Sequence, residues 1–123
     1  MNHRAAVVSM KRAIAEYFPK EAEEVDAQML DFDDDAYEVW LERFCDVTSD
    51  AMKRRDAVQV DAYLSFVSQQ LTDADEDMRS ALNVAYAENL MSNLDVDAKR
   101  WAWPRVPANL KRLYLEMWGE PRI

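Results

Sequence analysis

The sequence predicts an all-α fold, one domain of about six helices packed around a central apolar helix at about residues 73–94. Three observations carry this expectation. The 123 residues include one glycine and four prolines while half are apolar, which argues against sandwiches, barrels and α/β folds, whose turns need glycine at positive φ. Apolar residues recur three and four positions apart along most of the chain, the mark of buried helix faces. The stretch Ser80 to Leu94, SALNVAYAENLMSNL, holds one charge, Glu88, in a protein whose charged residues make up 32%. Placed at about 100° per residue, its apolar side chains surround most of a helix, and such a helix is covered on several sides. A chain of this length buries roughly two-thirds of its unfolded surface as a single domain.

Taken in order, helix one spans about Asn2 to Tyr17, with Ala6, Val7, Met10 and Ile14 at helical spacing. Pro19 ends it and suits the first turn of helix two, whose Glu21, Glu23 and Glu24 favour the positive end of the helix dipole. Helix two reaches about Leu30. Asp34 or Asp35 caps helix three, which runs to about Arg55 with Tyr37, Trp40, Leu41, Phe44, Val47, Thr48, Ala51 and Met52 on one face. Helix four spans about Ala57 to Leu71. Thr72-Asp73-Ala74-Asp75 resembles a capping box that opens the central helix near Asp73. Trp101-Ala102-Trp103-Pro104 reads as an irregular or single-turn piece, and a last helix runs from about Pro107 to Trp118. Gly119 sits where a left-handed C-terminal cap is needed, with Pro121 just beyond.

The net charge of −9 is unevenly placed. Residues 21–50 carry twelve acids and one base, 73–97 seven acids and one base, and 98–123 six bases and two acids. Two acidic segments repel nucleic acid and anionic lipid and attract a basic partner. A single cysteine, Cys45, makes neither an internal disulfide nor a thiolate metal site, so cytoplasm is the default compartment. The basic, apolar start is interrupted by Lys11 and Arg12 before it reaches the length of a signal core. No stretch approaches the roughly twenty uncharged apolar residues of a membrane span.

Catalytic chemistry finds little purchase. Asp31, Asp33, Asp35 and Glu42 match positions of a calcium-binding EF-hand loop, but the position that needs glycine is Ala36. The acids read as solvated caps, and no metal or cofactor is expected. Glu88, with Asn89 and Asn93, stands apart from the hydrophilic runs as a buried carboxylate, read as a hydrogen-bonded strut rather than an acid–base group. One histidine, His3, and no phosphate-binding glycine loop or catalytic triad set the expectation that the chain is no enzyme. Trp101 and Trp103, flanked by Lys99, Arg100 and Arg105, make a weak nucleic-acid stacking site and a better case for one core ring and one interface anchor.

Tyr17-Phe18-Pro19, Trp40, the stretch VAYAENL at Val84–Leu90 and the closing NLKRLYLEMWGE together resemble small, acidic, all-helical immunity partners of bacterial polymorphic toxins. The resemblance implies a cytoplasmic protein that binds one cognate toxin domain and blocks its active site or substrate path; it implies no shared catalytic residue. Acidic residues suited to a basic toxin surface are Asp31, Asp33, Asp34, Asp35, Glu38 and Glu42, with Asp73, Asp75 and Asp77 as a second group and Trp103 as an anchor. The alternative is a helical adaptor with no toxin partner, using an apolar groove near Trp101, Trp103 and Tyr114.

Overall fold

A computed structural model describes residues 2–32 and 37–123. Among the described residues there are seven α-helices, two single-turn 3-10 helices and no strand, which is the expected all-α fold. The helices are α1 (His3–Tyr17), α2 (Pro19–Gln28), α3 (Tyr37–Lys53), α4 (Ala57–Thr72), α5 (Glu76–Ala85), α6 (Val96–Ala102) and α7 (Ala108–Trp118), with 3-10 turns at Ala87–Asn89 and Trp103–Arg105.

Local chemistry sets most boundaries. The Asn2 carboxamide accepts from the Ala5 N–H at 2.7 Å and opens α1, and Pro19 occupies the first turn of α2. Asp56 caps α4 through the Gln59 N–H. Gly119 closes α7 at φ 75° and ψ −164°, a positive-φ conformation suited to glycine but outside the left-handed helical region of the expected cap. The capping-box reading fails: Thr72 is still helical, its hydroxyl donating back to the Ser68 carbonyl, and Asp75 alone caps α5, accepting from the Met78 N–H at 2.8 Å. Asp95 caps α6 in the same way through Ala98, a helix the sequence reading did not expect, while the single-turn piece expected at Trp101–Pro104 is met in part by the 3-10 turn Trp103–Arg105. The expected Asp34 or Asp35 cap of α3 lies outside the described residues.

The expected central helix at 73–94 is central in position but not one helix. Ala81, Leu82, Ala85, Tyr86, Ala87, Leu90, Met91 and Leu94 are all buried, yet α5 ends at Ala85 and the chain continues through Tyr86, at φ −122° and ψ −66°, into turns. The cause is side-chain competition for carbonyls. Asn89 Nδ2 donates to the Val84 and Ala85 carbonyls, and α3 supplies donors for two more: Cys45 Sγ to Tyr86 at 3.4 Å and Ser49 Oγ to Leu90 at 3.5 Å. Buried backbone groups released from a helix need such partners.

The helix with the widest set of neighbours is α3, which packs against α1, α2, α4, α5 and α6. Its Phe44 sits among Phe18, Trp40, Tyr63 and Tyr86 with ring centroids 5.7–6.5 Å apart, tilted and offset as aromatic quadrupoles prefer. This aromatic centre fixes how α2, α3 and α4 sit together, and so where the acids of α2 point.

Candidate partner-binding surface

The outward side of α2 and the turn after it form the most distinctive surface. Ala22, Val25 and Met29 face inward at helical spacing, while Glu23, Glu24, Ala27 and Gln28 face water. Leu30 falls off that inward stripe and is 84% exposed; Asp31 is exposed beside it, and Phe32, whose N–H donates to the Met29 carbonyl, is 42% exposed. Two large apolar side chains thus stand in water within an acidic segment. Glu23, Glu24 and Asp31 have no ion-pair partner among the described residues. Asp26 is already engaged: it accepts from Trp40 Nε1 at 2.9 Å and lies 3.4 Å from Lys11 Nζ, which pins α1, α2 and α3 at one corner.

Next to this surface, α2, α3 and α4 enclose a polar cleft of about 210 Å³ whose walls include Lys20, Glu21, Glu24, Asp50, Arg54 and Tyr63. The Tyr63 hydroxyl donates to Glu21 at 2.7 Å. Burial and the bonded Glu21 carboxylate push the Tyr63 phenol well above its ordinary range, so it stays a neutral donor.

The other residues singled out in the sequence are dispersed. Asp33, Asp34 and Asp35 lie outside the described residues, as does Ala36 of the EF-hand comparison. Glu38 opens α3, with Oε1 2.9 Å from His3 Nε2, and Glu42 is half-buried on the same helix. The second acidic group serves the α4–α5 junction: Asp73 is the C-cap of α4 and accepts from Gln69 Nε2 at 3.2 Å, Asp75 caps α5, and Asp77 lies in its first turn. Among the described residues, no hydrogen bond or ion pair joins that group to the α2–α3 acids.

Trp103 is no free anchor. It is half-buried, edge-on to Tyr114 at 5.4 Å, with Lys111 Nζ 5.0 Å from its ring centre. Trp101 is also half-buried, under Arg105 at 4.5 Å, and that guanidinium is held in turn by Asp61 at 3.0 Å. Glu88, expected as a strut on a central helix, is half-buried in the turn after α5; its backbone carbonyl, not its carboxylate, accepts from Trp118 Nε1. Sequence reasoning missed Leu30, Phe32 and Trp118. For Leu30 a signal existed, since its register departs from the Ala22–Val25–Met29 stripe.

Among the described residues no group of three or more His, Cys, Asp or Glu side chains is placed to hold a metal ion, and no helix is long and apolar enough to cross a membrane. Neither the curated proteins nor the solved structures contain a match to the chain. A family model described as "Domain of unknown function (DUF7674)" matches residues 11–119, from within α1 to just past α7, and the chain belongs to that family.

Proposed function

We propose that the protein is a toxin-neutralising immunity protein, binding a bacterial toxin domain of basic surface through the exposed side of α2 and the acidic stretch from Asp31 to Glu42, and so covering the toxin's substrate path. The observation that carries this reading is the exposure of Leu30 and Phe32 inside an acidic segment. Tight interfaces set apolar anchors within a polar rim, and the surrounding acids would steer a basic partner to them. The resemblance to immunity proteins supports the same reading. The adaptor reading relies on a groove at Trp101 and Trp103, where both rings lie half-buried under Arg105 and Lys111.

Co-purification tests the proposal. The tagged chain is expressed with the product of the neighbouring gene, and the expected result is a salt-sensitive one-to-one complex that restores growth to cells poisoned by that product. A neighbouring product that is not toxic and forms no complex would remove the reading.

A further inference from the structure

A second exposed aromatic stands on different elements. Trp118, the last residue of α7, is 61% exposed, yet its Nε1 donates to the Glu88 carbonyl at 2.8 Å. The bond holds the indole across the turn after α5, so a large apolar surface is kept in one orientation in water. Beside it opens a pocket of about 210 Å³ whose lining includes Met91, Tyr114, Trp118, Glu88 and Lys99, and Met117 is 47% exposed next in sequence. A pre-oriented tryptophan beside an apolar pocket loses little freedom on association, and tryptophan is the residue type most enriched at binding hot spots.

The charges around the pocket indicate what covers it. Glu88 and Lys99 flank the apolar centre with opposite sign, and neither has an ion-pair partner among the described residues. A surface holding both signs around one apolar patch complements itself under a two-fold axis, which sets each acid against the base of the other copy. We propose that the protein forms a two-fold homodimer through this patch. Each Trp118 packs against the Met91–Tyr114 pocket of the other copy, and each Glu88 pairs with Lys99 of the other.

Sedimentation equilibrium of the full chain, from about 1 µM to about 500 µM, spans the affinities open to a small interface of this kind. Dimers are expected, and Trp118→Ala weakens them at least about 30-fold, the effect of removing a hot-spot residue. Glu88→Lys and Lys99→Glu each weaken the dimer about 3- to 5-fold, and the double variant returns to within about 2-fold of the parent because the pair is rebuilt with signs exchanged. Thermal melts confirm that each variant folds; if Trp118→Ala does not, the charge exchange decides alone. A chain that stays monomeric throughout, including one whose Trp118 is protected only in a complex with another protein, overturns the proposal. So does a double variant as weak as the single ones.

Discussion

The Tyr86 side chain shows how much one buried residue holds in this protein. It is 1% exposed, stacks on Phe44 and shares a 2.8 Å hydrogen bond with Thr48. The Thr48 hydroxyl donates to the Phe44 carbonyl, which leaves its oxygen to accept from the phenol. Removing the two partners therefore has unequal effects. Tyr86→Phe leaves Thr48 with its backbone bond and costs about 1 kcal/mol, whereas Thr48→Val leaves a buried phenol unpaired and costs about 1–3 kcal/mol. Urea denaturation of the two variants and their combination checks this: Thr48→Val is the less stable single variant, and the double loses less than the sum. The same burial sets the response to alkali. Tyr86, Tyr63 and Tyr114 are all raised above their ordinary value, chiefly by desolvation, and so is the Cys45 thiol, with the Asp46 charge adding to it. Each group binds its proton more tightly in the folded chain than in the unfolded one. The resulting stability is complete below the unfolded values of about 8.5 for the thiol and about 10 for the phenols, and declines as pH rises beyond them. Thermal melting is expected to show a midpoint that begins to fall between about pH 8.5 and pH 10, with the phenolate absorbance of the buried tyrosines appearing only together with unfolding. A midpoint unchanged to pH 11 would contradict the raised values.

At the level of elements, helix starts are set by local chemistry, but the sequence reading identified only some of them. Asn2, Asp56, Asp75 and Asp95 each accept from the backbone N–H three residues on, yet the start of α5 was expected at Asp73 and no helix was expected to open at Asp95. The end of α5 is different. No glycine or proline marks it; besides the local Asn89 carboxamide, which donates to the Val84 and Ala85 carbonyls, the turn is held by Cys45 and Ser49, more than thirty residues away, which donate to the Tyr86 and Leu90 carbonyls. Only the tertiary structure brings those groups together, so the apolar periodicity alone extended the helix to Leu94. The end of α3 is set by Arg55, at φ 58°. Its N–H reaches the Met52 carbonyl at 3.1 Å, and the Asp56 N–H reaches Ala51 at 3.0 Å, the bond pattern of a left-handed cap that glycine ordinarily fills. The guanidinium adds bonds to the Met52 and Lys53 carbonyls at 3.0 and 3.1 Å, which offsets the backbone strain. Arg55→Ala keeps the strain and loses the offset, while Arg55→Gly loses the offset and relieves the strain. The glycine variant is therefore expected to be the more stable of the two by about 1 kcal/mol, read from their denaturation midpoints. Equal midpoints would place the origin of this cap elsewhere.

Across the whole molecule, charge is sorted by segment: acids gather on residues 21–50 and bases on 98–123. Composition alone made that division legible, but not which acids are free to meet a partner. Asp75 is occupied as a helix cap and Asp26 by Trp40 and Lys11, while Glu23, Glu24 and Asp31 remain open. The exposed Leu30 and Phe32 were hidden for the complementary reason, since an apolar residue beside a helix is ordinarily read as core. On the proposed interface these two sets of residues act on different steps. Long-range steering by a charged face changes how often partners meet, whereas buried apolar anchors change how long they stay. Charge reversal at Glu23, Glu24 and Asp31 is thus expected to lower the association rate about 10-fold or more at low ionic strength, with the difference shrinking as salt is raised past about 0.15 M, where the screening length is about 8 Å. Leu30→Ala and Phe32→Ala are expected to leave the association rate within about 2-fold and raise the dissociation rate by about 10-fold or more each. Surface plasmon resonance with the partner domain that co-purification is proposed to identify, at several salt concentrations, separates the two effects. If the acid reversals act only on dissociation, or the apolar truncations on neither rate, the partner meets the protein somewhere other than α2 and the turn that follows it.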